Sequence, residues 1–181
     1  VELYDAIRSR RSHSKVTDAA PSHEELVRLV EAAASVADHS GMRPWRLIEL
    51  RGAARERLGA AMAASAGAEG PHADKLAAKP LRAPLLIAIV ARVRPTFKVP
   101  GWEQEAVASG VAHLLSALLD DAGWGVMWRT GPQTRAPEVN AVHELDDDER
   151  LLGWLYVGGL PNEPREKPRR FDAESVLTEL S

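Results

Sequence analysis

At 181 residues, with 23 basic against 26 acidic side chains and a net charge of -3, the chain has room for one sizeable core and no overall field to gather nucleic acid. Cysteine is absent, which excludes disulfides, thiolate-held clusters and thiol nucleophiles and fits a reducing compartment. The longest apolar run, Leu85 to Ala91, is far short of the ~20 residues of a spanning helix, and the acidic start Val1-Glu2-Leu3-Tyr4-Asp5 lacks the basic flank of an export signal, so a soluble cytoplasmic protein without membrane or nucleic-acid partners is expected.

Leu3, Ala6 and Ile7 recur at helical spacing, and this first helix runs into the basic cluster Arg8, Arg10, Arg11. Ser22 followed by Glu25 makes a capping box, after which Leu26, Leu29, Val30 and Ala33 line one face of a second helix reaching about Ala37. Asp38-His39-Ser40-Gly41 ends it. Trp45 to Leu50 alternates as a strand closed by Arg51-Gly52, and an alanine-rich helix runs from Ala53 to about Ala66.

Gly67, Gly70 and Pro71 break that helix, Ala73 to Lys79 adds a turn or two, and Pro80 and Pro84 force extended backbone into a buried strand at Leu85–Val93. Glu103 to Ala122 reads as a long central helix packed on more than one side. A third strand is expected at Gly123–Thr130, a short helix near Pro137–His143, and a fourth strand at Leu151–Val157. The acidic run Asp146-Asp147-Asp148-Glu149 reads as a solvated turn or helix start. Residues 1–160 thus make one domain. The polar, proline-rich stretch from Pro161 to Arg170 opens a tail, 161–181, whose Val176, Leu177 and Leu180 have little to pack on within one subunit, so it is expected to reach across a dimer.

Three short segments carry the chemistry. Arg10-Arg11-Ser12 presents two guanidiniums and a hydroxyl where a helix gives way to loop, a combination suited to a phosphate and equally found at an ordinary solvated helix end. His39 to Trp45 joins a Ser40-Gly41 turn, a soft Met42 and a rigid Pro44-Trp45 pair, through which backbone can approach a ring; an ordinary helix-to-strand connection would look the same. Trp128-Arg129-Thr130-Gly131 closes the third strand, where open sheets keep their ligands. Together they offer both halves of what a flat phosphorylated cofactor needs. Gly123-Trp124-Gly125 is not a dinucleotide fingerprint, because a strand and not a helix follows, and the six histidines show no metal-ligand spacing.

With these residues in place the chain resembles the FMN-dependent nitroreductase family, most closely its short, minimal branch. The resemblance rests on Arg10-Arg11-Ser12, Asp38-His39 leading to Pro44-Trp45, Arg82-Ala83-Pro84, Lys98-Val99-Pro100 with Trp102-Glu103-Gln104-Glu105, Trp128-Arg129 with Gly131, and Leu155-Tyr156-Val157-Gly158. It implies an α+β homodimer, with a mainly antiparallel sheet of four strands plus a C-terminal strand from the partner, flanked by helices, and two flavins at the subunit interface. It further implies FMN contacts from Arg10, Arg11 and Ser12 on the phosphate and ribityl side, from His39 of the other chain, from Ser35, and from Trp128, Arg129 and Thr130. The Thr130 amide would meet flavin N5, with no side chain acting as acid or base. NADH or NADPH would reduce the flavin, and a nitroaromatic, quinone or similar small-molecule acceptor would reoxidise it by a ping-pong route. A non-catalytic flavin-storage protein on the same fold is the alternative. Arg43 stands where the family pattern has an amide, and Ser14-Lys15 where many relatives place a lysine, two substitutions that bear on flavin potential.

Overall fold

The computed structural model describes residues 2–162 and 171–180. Six α-helices span Leu3–Ser9 (α1), His23–Ala33 (α2), Ala53–Ser65 (α3), Gly70–Ala77 (α4), Gly101–Asp121 (α5) and Pro137–Val142 (α6), and the strands are Trp45–Leu50 (β1), Leu85–Arg92 (β2), Trp124–Arg129 (β3) and Glu149–Gly159 (β4). Single 3-10 turns lie at His39–Gly41, Lys79–Arg82 and Pro132–Arg135.

The strands form one antiparallel sheet in the order β1-β2-β4-β3. Alternation then sorts the side chains onto two faces. Leu85, Ile87, Ile89, Val126, Leu155 and Val157 face a layer containing Leu26 and Ala33 of α2 and Val111, Ala112, Leu115 and Leu119 of α5. Leu86, Ala88, Val90, Leu151, Trp154 and Tyr156 face Leu58, Ala61 and Met62 of α3 and Val139 of α6. β2 is buried along nearly its whole length because helices cover both its faces, which is why its sequence is a continuous apolar run.

Boundaries moved where local chemistry outweighed periodicity. The Ser22 hydroxyl caps α2 by accepting from the Glu25 amide at 3.1 Å, as expected, but the helix stops at Ala33 and turns before Ala37. Gly70-Pro71 begins α4 instead of only breaking α3, since proline is well tolerated in the first helical turn. The acidic run departs furthest from expectation. Asp146–Asp148 do turn, but Glu149 opens β4 with its carboxylate buried against Arg46, whose Nε and Nη2 each donate to it at 2.7 Å. A buried carboxylate requires such a partner, and the partner lies 103 positions away.

Gln104, in the Trp102–Glu105 motif, is almost fully buried at the start of α5. Its Oε1 accepts from the Arg94 amide at 2.9 Å and its Nε2 donates to the carbonyls of Arg94 and Val99 at 2.9 and 3.0 Å, tying the 94–99 loop to the helix. Of the tail, residues 171–180 are exposed and form one turn without a strand in the single chain; the rest of the basic stretch, 163–170, lies outside the described residues.

Candidate functional site

β3 leaves the C-terminal end of α5 through Gly123 and runs back along the helix, so that Trp128 meets His113 edge-on with ring centroids 5.0 Å apart. At the end of β3 the neighbouring strand carries a bulge. The β2–β4 register breaks between Ile89 and Val90, and Gly153 takes φ 140° beside the break. A Cβ at Gly153 would lie 2.5 Å from the Arg129 carbonyl oxygen and 2.7 Å from Trp128 Nε1. Glycine here lets the Trp128–Thr130 backbone lie against β4.

That strand end opens into a cavity of about 320 Å³. Its walls include Trp128, Trp154 and Tyr156, the thioethers of Met62 and Met127, and Thr130; its cations are Lys79, Arg82 and Arg129. Arg129 lays its guanidinium over the Tyr156 ring at 5.2 Å, and burial pushes the Tyr156 hydroxyl up to about 12, so it remains a proton donor. Trp128 Nε1 and Arg129 Nε are buried with no hydrogen-bond acceptor among the described residues. Thr130, just past the strand, donates its amide to no loop or cap carbonyl among them. Unsatisfied donors, aromatic walls and clustered cations are what a flat, acceptor-rich, anionic molecule requires of a protein.

Behind the wall, His143 is buried and bridges two elements: its Nδ1 donates to the Val139 carbonyl at 2.7 Å and its Nε2 accepts from Trp154 Nε1 at 2.9 Å. Burial, and secondarily the Arg46 charge, hold its pKa below the ordinary 6.5. The folded protein therefore binds this proton less readily than the unfolded chain, and stability present above pH 6.5 is lost as pH falls below it. Glu149, held low chiefly by its Arg46 hydrogen bonds, adds a second loss below its ordinary 4.5. Urea midpoints measured between pH 8 and 4 are expected to decline in these two steps, and His143→Gln to flatten the first. A flat profile from pH 7 to 5 in the unsubstituted protein contradicts the assignment.

The segment after α1 reaches both β3 and β4: the His13 amide donates to the Val126 carbonyl of β3 at 2.9 Å, and Thr17 bridges to Gly159 at the end of β4. Arg10-Arg11-Ser12 directly precedes the His13 contact with β3 in the chain. Arg11 Nη1 turns back onto the carbonyls of Arg8 and Arg10, whereas half-buried Arg10 makes no side-chain hydrogen bond or ion pair among the described residues. None of the three lines the cavity that holds Arg129.

His39 and Ser35 lie elsewhere. Asp38 organises the turn after α2 by accepting from the amides of Met42 and Arg43 at 3.2 and 2.7 Å, which supports the positive φ of Ser40 and Arg43. His39 then binds Glu103 at 2.7 Å and, with Trp102 and Glu103, lines an open depression of about 520 Å³. Ser35 is exposed in the turn that follows α2. Glu103 is near the start of α5 and Asp120, which meets His13 at 3.2 Å, is near its end. At 1.5 Å per residue the two anchors are about 25 Å apart.

Reading the sequence did not single out Lys79, Tyr156 or Trp154 as site residues, nor Arg82 beyond its place in a motif. Only Arg82 and Tyr156 fell within the quoted motifs; Lys79 in its 3-10 turn offered no signal of its own.

A model of the nitroreductase family matches residues 7–159. A protein of Escherichia coli K12 named "Putative NAD(P)H nitroreductase YdjA" is 32% identical over 161 residues, covering 87% of this chain and 88% of that protein. Among solved structures, a nitroreductase-like family protein from Bacillus cereus superposes with TM-score 0.83 at 22% identity, over 99% of this chain and 96% of that one. An FMN- and NADPH-dependent nitroreductase, NfnB of Sphigopyxis sp. strain HMH, does so with TM-score 0.78 at 16% identity over the whole of both chains.

Proposed function

The chain belongs to the nitroreductase family, and from that premise we propose that it is a homodimeric, FMN-dependent oxidoreductase that carries electrons from NADH or NADPH to flat electron-poor acceptors such as nitroaromatics or quinones. The observation that carries the reading is the end of β3. There the Thr130 amide is unengaged, and Trp128 Nε1 and Arg129 Nε are buried without an acceptor among the described residues, beside the rings of Trp154 and Tyr156.

The residues present fit FMN. Arg10 and Ser12, with Arg11 beside them, would hold the phosphate and ribityl hydroxyls, and Trp128–Thr130 the ring, with the Thr130 amide donating to N5. Bound FMN supplies reversible two-electron hydride chemistry, which lets donor and acceptor use one site in turn. The chain's own task is to bind, orient and exclude water: the rings of Trp128, Trp154 and Tyr156 form dry walls, and the backbone amide is preorganised where a side-chain acid is not needed.

Two copies are required for this arrangement. Trp102, Ala106, His113, Leu114 and Ala117 form a partly exposed stripe along α5 at helical spacing, and Leu3, Tyr4 and Ile7 of α1 are uncovered, with Leu3 78% exposed. A two-fold axis across such a stripe would set the His39 end of one α5 against the His13 end of the other, joining the half-sites. The exposed tail residues Val176, Leu177 and Leu180 would gain a surface in the same step. We place the dimer in the cytoplasm.

The test is the visible spectrum of the purified protein. A yellow dimer that bleaches with anaerobic NADH or NADPH, and regains colour with a nitroaromatic or quinone, is expected. Colour that never bleaches rejects an enzyme in favour of flavin storage, and a protein that takes up no FMN rejects the whole reading.

A further inference from the structure

We propose that Lys79, Arg82 and Arg129 form an anion subsite that selects, among flat acceptors, those carrying a carboxylate or similar anionic group. The inference rests on the enzyme reading above and adds the class of acceptor.

Three cations line one cavity of about 320 Å³, and none of them is in an ion pair among the described residues. Like charges gathered without a carboxylate repel, and the repulsion is relieved when an anion enters. Where a carboxylate lies beside a cation the two pair, as Arg46 does with Glu149, Arg92 with Asp146 and Arg150 with Glu105, whereas no carboxylate of the described residues lines this cavity. Its placement also ties it to the reaction, since Thr130, proposed to meet the flavin, is part of its wall.

Arg129 is held in place by its stack on Tyr156, with its Nε buried and unused, and the protonated Tyr156 hydroxyl supplies a further donor with no partner among the described residues. Lys79 and Arg82 open and close one 3-10 turn, so both are carried by the same rigid segment between α4 and β2. An anionic ring substituent reaching these groups makes charged hydrogen bonds that a neutral one of equal shape does not.

The same chemistry could serve the FMN phosphate. Its ribityl chain sets that phosphate well away from the ring, and Arg10, outside this cavity, offers it a guanidinium unpaired among the described residues.

The test uses holoenzyme with 4-nitrobenzoate and 4-nitrobenzamide, which match in shape and differ in charge. The unsubstituted protein is expected to favour the benzoate about tenfold in kcat/KM, mainly through KM, as one charged hydrogen bond would. Arg82→Gln and Lys79→Gln should each cut the preference to about twofold or less, with FMN content unchanged by absorbance. Arg150→Gln, a surface control, should retain it. No preference in the unsubstituted protein overturns the proposal, as does a preference that survives both variants. Loss of FMN from Arg82→Gln also overturns it, by assigning the cluster to the cofactor. Should the protein prove not to be reduced by NAD(P)H, the enzyme reading fails separately. Saturable quenching of Trp128 and Trp154 fluorescence by 4-nitrobenzoate, lost in Arg82→Gln, then still supports the subsite, and its absence overturns it.

Discussion

Arg10→Ala is expected to lower FMN affinity by about ten- to 150-fold, the range given by loss of a charged hydrogen bond of ~1.5–3 kcal/mol. Arg10 caps the end of α1, half-buried, and its guanidinium is engaged by nothing among the described residues. A cation held in place without a partner retains its full capacity for an anion. Arg11 differs, because its Nη1 already serves the carbonyls of Arg8 and Arg10 at the end of the helix. Arg11→Ala is therefore expected to weaken FMN less, and to loosen α1 more. Flavin fluorescence titration of the apoprotein reads both constants. Full flavin occupancy of Arg10→Ala at submicromolar FMN, or a larger loss in Arg11→Ala, contradicts the assignment.

The largest structural effect is expected at Gly153. A Cβ there meets backbone at 2.5 Å, which a rotamer change cannot relieve, and φ 140° is a conformation that a side chain rarely adopts. Strain and overpacking each cost about 1–3 kcal/mol, so Gly153→Ala should destabilise the fold by about 2–4 kcal/mol and lower Tm by roughly 5–15 °C for a domain of this size. The displaced atoms would be those of Arg129 and Trp128, so FMN retention should fall as well. Thermal melts with and without added FMN separate the two losses. A Tm within a degree of the unsubstituted protein would show that β4 can relax around the methyl group, and that the bulge does not fix the strand end.

The two expected results share a cause in the β3 edge. The chain that follows the helix-end cations meets β3 at Val126 through the His13 amide and β4 at Gly159 through Thr17. β4 supports the same strand from its other side through a glycine. Neither contact is local, since the residues involved are separated by more than a hundred positions in the first case.

Local pattern alone determined the four strands, the long central helix, the Ser22 cap and the segments that carry the family resemblance, because hydrophobic period, capping and turn chemistry act over a few residues and need no partner. The same is true of Arg10-Ser12 and Trp128-Thr130 as candidate residues. The tertiary structure decided what depends on distance in space. It buried Glu149 by supplying Arg46, and it grouped Arg129 with Lys79, Arg82 and Tyr156 in one cavity. It also set the His39 contact with Glu103 and the His13 contact with Asp120 at opposite ends of α5. A charge becomes buried, or a cluster of cations becomes a site, only when chain segments without sequence proximity are packed together, and that packing free energy belongs to the whole fold and to no window of residues.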